Sequence, residues 1–167
     1  IFKTIRRHYQ EVSKKLSMHG LPQSLRPWIP PRVVIPISGV HRGMIDAVNF
    51  ARSISDRVTA VYIDMDPGPD EEELRKRWNE WFPEVEFVVI PSPYRSLVDP
   101  LLKYLDETDR QHNDGQQAVL VLPEVIPGSS LQEMLHNQSA TEIKRAILYQ
   151  RRHHGLNRII IDVPYQL

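Results

Sequence analysis

The residues of this chain best suited to chemistry are cations, an aromatic ring and small polar groups in three loops, each following an apolar run. They are Ser38, Gly39, Arg42, Tyr94, Arg95, His136, Asn137, Gln138 and Ser139. A guanidinium such as that of Arg42 can hold a phosphate through two hydrogen bonds. An adjacent ring and cation, as at Tyr94 and Arg95, can stack on a purine and neutralise a phosphate. These residue types indicate a nucleotide site.

The third loop leads into a helix, and a helix start is itself suited to an anion. The run Ser139 to Glu142 has a capping-box pattern, and the unpaired backbone amides at such a start carry partial positive charge. Asn137 and Gln138 would add directed hydrogen bonds. Glu124, after the fourth apolar run, could accept from an adenine amino group or hold Arg42, although its charge would repel phosphate.

Each candidate also has a structural interpretation that needs no ligand. Arg42 would be a solvated charge or part of a surface ion pair, and Tyr94 would pack its own loop. Asn137 or Ser139 would only cap the helix that follows. The residue types leave both interpretations open.

Patterns typical of enzymes and metal sites are missing from the sequence. There is no cysteine, no phosphate-binding lysine motif and no nucleophile elbow. His153 and His154 are adjacent, so they do not share a helix face and make a poor metal site. Lys with Arg and Asp with Glu number 21 each, which argues against a nucleic-acid surface. We expect no catalysis, no bound metal and no nucleic acid.

Five short apolar runs alternate with helix-length amphipathic segments, and this order must position the loops. The runs are Val33–Ile37, Val58–Ile63, Phe87–Ile90, Ala118–Leu122 and Arg158–Val163. The alternation predicts an α/β fold with a five-stranded parallel sheet in which strand 1 is central. Such sheets bind ligands at the carboxyl ends of the strands, in the crevice where the strand order reverses, here beside strand 4. The loop residues would then share one edge.

The first 31 residues differ from the rest in charge and predict a separate segment. Its apolar residues at helical spacing are Phe2, Ile5, Tyr9, Val12 and Leu16. Residues 1–32 carry seven Lys or Arg against one acid, Glu11. We expect a basic helix and linker over residues 1–31 and the α/β domain over residues 32–167. The helix would either pack on the domain or continue from a membrane span, since basic residues favour the cytoplasmic side. The first residue is Ile1 rather than Met, so we expect a piece of a longer protein.

Two families resemble this chain. Its run Ile35-Pro36-Ile37-Ser38-Gly39 is similar to the first strand of universal stress proteins, whose five parallel strands have the order 3-2-1-4-5. More specific are Ser92-Pro93-Tyr94-Arg95-Ser96, Leu122-Pro123-Glu124, Leu135-His136-Asn137-Gln138 and Val163-Pro164-Tyr165-Gln166-Leu167. Together these resemble the C-terminal cytosolic domain of bacterial transporters of the amino acid–polyamine–organocation superfamily, among them potassium importers and amino-acid-permease-like members.

The transporter resemblance implies a regulatory, cytoplasmic domain of a cell-membrane protein that acts on the transmembrane domain of its own chain. It implies cyclic di-AMP as the ligand and a homodimer, since a symmetric dimer supplies stacking surfaces and cations twice. The aliphatic run Ile159 to Ile161, at a predicted sheet edge, also favours a dimer. Two alternatives stay open: a dimerisation module without a ligand, and an ATP-binding stress protein.

ATP or AMP fits less well, because most glycine positions of ATP-binding stress proteins are not glycine here. Those proteins carry Gly-x2-Gly-x9-Gly after strand 4; only Gly128 matches, and Val125 and Gln138 occupy the other two positions. Side chains at these positions hinder a close approach of the backbone to phosphate. Ser38 also stands where those proteins have an acid. The resemblance therefore favours cyclic di-AMP over ATP.

Overall fold

The computed structural model describes residues 2–21, 28–65, 70–126 and 138–165, and only the backbone of Phe2 and Gln138. In chain order, the helices and strands of these residues are α1 (Phe2–Lys15), β1 (Val33–Ile37), α2 (Met44–Ile54), β2 (Val58–Asp64), α3 (Glu71–Trp81), β3 (Glu86–Pro91), α4 (Val98–His112), β4 (Val119–Val125), α5 (Gln138–His154) and β5 (Ile160–Tyr165). The strands form one sheet in the order β3-β2-β1-β4-β5, and every neighbouring pair is parallel. The predicted α/β class, strand order, central β1 and N-terminal helix are confirmed.

Helices cover both faces of the sheet and bury its central strand. All five residues of β1 are buried, because alternate side chains of a strand point to opposite faces and both faces are covered. Val33 and Ile35 pack with residues of α2 and α3 on one face, whereas Val34 packs with residues of α4 and α5 on the other. Burying each such side chain stabilises the fold by roughly 1.5–3 kcal/mol. This explains why β1 is an unbroken apolar run.

The two tryptophans of α3 have different environments. The helical spacing predicts an apolar face of Leu74, Trp78, Trp81 and Phe82, with the tryptophans in the core or at a dimer contact, and Trp81 is exposed. Phe82, one residue beyond α3, lies against Trp78 with ring centroids 4.6 Å apart and closes the core at this end of the helix. Trp78 is fully buried, and its indole Nε1 donates to the carbonyl oxygen of Val85 at 3.0 Å. A core position is therefore confirmed for Trp78 and not for Trp81, for which a dimer contact stays a prediction.

The ladder between β1 and β4 ends early, and two prolines explain why. Its paired register covers only the first two residues of β1, Val33 and Val34, whereas β1 pairs with β2 along its whole length. Alternate residues of a parallel strand bond to the same neighbour, so the next two bonds between β1 and β4 would need the N–H groups of Pro36 and Pro123. Proline has no N–H. The ladder is therefore open at the carboxyl ends of these strands, where the sequence predicts the ligand crevice.

The basic N-terminal helix keeps its apolar side chains in solvent. Tyr9 is 69% exposed, Leu16 is 74% exposed, and Ile5 is also exposed. This exposure disagrees with a helix whose apolar stripe packs on the domain. Within the described ranges, no helix combines the length and apolar character that crossing a bilayer requires.

Candidate functional site

The loop from β1 to α2 places a cation at the start of a helix. Arg42 is exposed, and the N–H of Ile45 donates to its carbonyl oxygen at 3.1 Å in the turn that opens α2. The Arg42 guanidinium makes no ion pair or hydrogen bond with any described residue. Ser38 is exposed and Gly39 half-buried at the beginning of this loop. No described side chain caps α2, but the N–H of Met44 donates to the carbonyl oxygen of His41 at 3.0 Å. The first two helix amides are therefore bonded to the loop itself, and the loop offers a ligand mainly the Arg42 cation.

The turn from β3 to α4 presents an aromatic ring and a second cation. Ser92 is buried; its Oγ donates to the carbonyl oxygen of Ser96 at 2.7 Å and accepts from the Ser96 N–H at 3.1 Å. Arg95 has a φ of 53°, a left-handed conformation that costs roughly 1–2 kcal/mol for a residue other than glycine. Tyr94 is 92% exposed, so the interpretation that it packs its loop is wrong. The serine bridge thus holds Tyr94 and Arg95 outward.

These two loops lie on one edge of the sheet but not against each other. Tyr94 and Arg95 follow β3, whereas Arg42 follows β1, and β2 lies between these strands. Strands are about 4.8 Å apart, so the strand ends are separated by roughly 10 Å. The structure brings the predicted residues to a common edge, and the arrangement suits an extended ligand with charge or rings at several points.

The third predicted group is only partly within the described residues. His136 and Asn137 lie outside them, and only the backbone of Gln138 is described. The capping-box pattern predicts that the helix begins at Ala140 with Ser139 as its cap. Instead α5 begins at Gln138, and Ser139 is exposed within the first turn. The helix start still belongs to the loop after β4, on the predicted edge.

Sequence reasoning missed the contribution of Tyr165. β5 continues to Tyr165, two residues beyond the predicted end, and its ring lies 5.7 Å from that of His41 between centroids. A Cβ added at Gly43 would meet this ring at 2.4 Å, so the loop after β1 needs a glycine there. Burial raises the pKa of the Tyr165 phenol. The signal in the sequence was an aromatic residue shortly after the predicted end of the strand, in Val163-Pro164-Tyr165.

A second missed group is a lysine that joins two strands to a helix. Lys144 Nζ of α5 lies 3.0 Å from Glu124 of β4 and 2.8 Å from Asp162 of β5. Burial lowers the pKa of Lys144, but hydrogen bonds and charges from Asp162 and Glu124 outweigh it, so the pKa is raised. The hypothesis that Glu124 holds Arg42 is wrong, since Glu124 binds Lys144 instead.

The opposite edge, formed by the amino ends of the strands, holds two buried arginines. Arg158 is 1% exposed and Arg32 5% exposed, although the charge count places Arg32 with the basic N-terminal residues. Asp109 of α4 binds both: Oδ2 lies 2.9 Å from Arg158 Nη2, and Oδ1 lies 3.0 Å from Arg32 Nη2. Arg158 also donates to the carbonyl oxygen of Ala118 at 3.0 Å. This network joins the amino ends of β1, β4 and β5 to α4.

Asp114 completes the network on the side of Arg32. It binds Arg32 Nη1 and accepts from the N–H of Gln116 at 3.0 Å. The hydrogen bond from Gln116 lowers the pKa of Asp114, and Arg32 adds to this effect. No cluster of three or more potential metal-ligating side chains occurs among the residues whose positions are given. The charges at this edge are therefore paired with one another, although the buried Nε atoms of Arg32 and Arg158 have no hydrogen-bond partner among the described residues.

Comparison with known proteins agrees with the transporter resemblance. Residues 30–165 match the model of the family described as "KimA potassium transporter C-terminal domain". The chain is also 31% identical to the potassium transporter KimA of Bacillus subtilis (strain 168), over 99% of this chain and 26% of that relative. It thus spans about a quarter of the relative's length. By these matches the chain belongs to the family of KimA potassium transporter C-terminal domains.

Proposed function

We propose that this domain is the cytoplasmic regulatory part of a bacterial potassium transporter and that it senses cyclic di-AMP. The family match and the name of the Bacillus relative support a role in a potassium transporter. The transmembrane part of the same full-length chain is then its partner. In this role the domain performs no catalysis.

A single observation carries the ligand proposal. The carboxyl edge of the sheet presents two guanidinium groups, those of Arg42 and Arg95, which bind no described side chain. Tyr94 stands beside one of them on a turn held by buried Ser92. The left-handed backbone of Arg95 and the exposed ring of Tyr94 do not stabilise the fold. Backbone strain of this kind is frequent at ligand sites. Cations with a stacking ring suit a ligand that carries phosphates and purines.

The geometry favours a dinucleotide over ATP. The phosphate-binding glycines of ATP-binding stress proteins are replaced by Val125, which is buried at the end of β4, and by Gln138 at the start of α5. Side chains there keep the backbone away from a triphosphate. The cations lie in separate loops roughly 10 Å apart at their strand ends. Two adenosines joined through two phosphates could contact both loops, and a homodimer would double each contact.

Regulation requires that the ligand prefer one state of the transporter. A ligand shifts a conformational equilibrium only as far as its affinities for the two states differ. Arg42 and Arg95 belong to separate loops, after β1 and after β3, so a ligand can contact one loop or both. Cyclic di-AMP would therefore act by favouring the transporter state in which both loops engage it.

Calorimetric titration of the 167-residue chain with cyclic di-AMP, AMP and ATP tests this proposal. We expect saturable heat with cyclic di-AMP and weak or absent heat with the two mononucleotides. Firm binding of ATP without binding of cyclic di-AMP would support the stress-protein alternative. Absence of heat with all three would reject nucleotide sensing.

A second candidate function is dimerisation without a ligand, and the free edge of β5 favours it. β5 pairs with β4 on one side and is the last strand of the sheet. Ile159 is exposed just before it, and unprotected aliphatic edges tend to pair or to be covered. Pro164 and Asp162 protect the other end of the same edge. Sedimentation should show a dimer that Ile159→Lys weakens; a monomer at high concentration would reject this module.

A further inference from the structure

The N-terminal helix has an apolar face without a protein partner in the described structure. Ile5, Tyr9, Val12 and Leu16, which we call the α1 stripe, fall within an arc of about 60° at helical spacing. Ile5, Tyr9 and Leu16 are exposed and Val12 is half-buried. Burying this face would remove several large side chains from water, each worth roughly 1.5–3 kcal/mol. Something outside the described domain is therefore needed to cover it.

The charges around the α1 stripe select an anionic occupant. At helical spacing, Arg6 and Lys15 flank the stripe on its two sides, while Lys3 and Lys14 lie behind it. Long basic side chains beside an apolar face reach up to headgroups while their stems stay in the apolar layer. The one acid, Glu11, lies away from the stripe and is paired with Arg7 at 3.3 Å. An apolar face flanked by cations is the pattern of a helix lying in a membrane interface.

The segment after α1 continues this character. Met18, Leu21, Trp28 and Ile29 are all exposed, and tryptophan favours the boundary between headgroups and acyl chains. The family match begins at residue 30, so α1 and these side chains precede the matched domain. They are separate from the carboxyl edge of the sheet and from the open edge of β5.

We propose that α1 lies flat on an anionic lipid bilayer, with the α1 stripe in the interface and Arg6 and Lys15 among lipid phosphates. The inference rests on the proposed function only in placing a bilayer beside the domain. A helix held in this way would fix the height and orientation of the α/β domain below the membrane. It would also limit the directions in which ligand-driven loop movements reach the transmembrane part.

Vesicle co-sedimentation of the 167-residue chain is the test. We expect binding to vesicles of phosphatidylcholine mixed with phosphatidylglycerol in about equal parts, and much weaker binding to phosphatidylcholine alone. The charge variant replaces the two cations that flank the stripe, Arg6 and Lys15, by glutamine. Each cation near an anionic surface strengthens binding about fivefold, so this variant should bind about 25-fold more weakly.

The matched control has the same net charge and changes two exposed cations elsewhere to glutamine: Lys76 and Arg110. It should retain nearly all binding. A second variant, Ile5→Gln with Tyr9→Gln, should lose binding to both vesicle types, whereas Trp81→Gln with Tyr149→Gln should not. Neither α1 variant should alter the calorimetric titration with cyclic di-AMP, which separates this inference from the nucleotide proposal.

Three results would overturn the inference. One is absence of binding to the anionic vesicles. Another is equal loss of binding in the α1 charge variant and its control. The third is a chain that self-associates through α1, seen as a dimer lost in the Ile5→Gln and Tyr9→Gln variant while vesicles leave the chain in solution. In that last case a second copy of the chain would be the occupant of the α1 stripe.

Discussion

At the amino ends of the strands Arg32 and Arg158 are buried and bound by aspartates, whereas at the carboxyl ends Arg42 and Arg95 are exposed. The same side chain therefore serves two purposes in one sheet. A buried guanidinium without a carboxylate would be severely destabilising, so its partners are part of the fold. An exposed guanidinium contributes little to stability. The carboxyl-edge arginines are therefore available for a role other than folding.

The acids near the two pairs of arginines also differ in how they are bound. At the amino edge, Asp109 uses both carboxylate oxygens on arginines, and one of them also accepts from the N–H of Ala118 at 2.9 Å. At the carboxyl edge, Lys144 pairs with Glu124 and Asp162. These two acids are thus satisfied by a lysine, and the guanidinium groups of Arg42 and Arg95 pair with no described carboxylate.

The largest effect is expected from breaking the amino-edge network. Arg158→Met removes the partner of Asp106 and one of the two buried arginines that bind Asp109, and it should lower the free energy of unfolding by about 3 kcal/mol. Urea unfolding followed by circular dichroism measures this. Arg110→Met, an exposed arginine on the same helix, should change the value by less than about 0.5 kcal/mol. Equal effects of the two substitutions would remove the distinction between structural and surface arginines.

The second effect concerns binding rather than stability. Arg95→Ala should cost roughly 1.5–3 kcal/mol of binding free energy if Arg95 makes a charge-assisted contact with the ligand, which weakens cyclic di-AMP by at least about tenfold. Its urea midpoint should stay near that of the parent chain. Arg52→Ala, whose side chain forms a surface pair with Glu84, is the calorimetric control and should bind normally. Unchanged affinity in Arg95→Ala would take this residue out of the site.

A smaller effect tests how the carboxyl edge is packed. Gly43→Ala places a methyl group within 2.4–2.5 Å of the Tyr165 ring and should destabilise the domain by about 1–3 kcal/mol through overpacking. Tyr165→Ala in the same chain removes the clash, so the double variant should lose less than the sum of the single losses. Unfolding free energies of all three variants measure this coupling. Strict additivity would show that the ring moves aside at no cost.

The smallest effect is a pH dependence from Lys144. Its pKa is raised above the ordinary value of 10.5, so the folded state holds this proton more tightly than the unfolded state does. Its contribution to stability is complete below that ordinary value and is lost as the pH rises through the folded pKa. The stability difference between the parent and Lys144→Met, up to about 1 kcal/mol, should shrink above about pH 10. A difference that stays constant to higher pH would contradict the raised pKa.

The sequence predicts the architecture well because the fold depends on local patterns. The buried run of β1 has the predicted bounds, and alternation with amphipathic segments suffices for a parallel sheet. Trp81 shows the limit of such patterns, since helical spacing does not reveal which member of an apolar face stays exposed. Arg32 and Arg158 show another: a charge count cannot identify which cations a distant Asp109 will bury.

Predicting the site from sequence is harder, because it depends on register and on side chains from separate strands. The loops after β1 and β3 reach the predicted edge. The effect of Pro36 and Pro123 on the ladder, however, depends on which neighbouring strand their backbone nitrogens face. That orientation is known only once β1 and β4 are placed in register. Tyr165 likewise reaches His41 only because β5 continues two residues beyond its predicted end.

The most direct test of the contrast between the two edges is amide chemical-shift mapping by NMR during titration with cyclic di-AMP. We expect saturable shifts in the loops at residues 38–43 and 92–96 and in the first turn of α5. We expect no shifts around Arg32, Asp109 and Arg158. Shifts concentrated at the amino edge, or a spectrum that stays unchanged at saturating nucleotide, would contradict the assignment of the carboxyl-edge arginines to ligand binding.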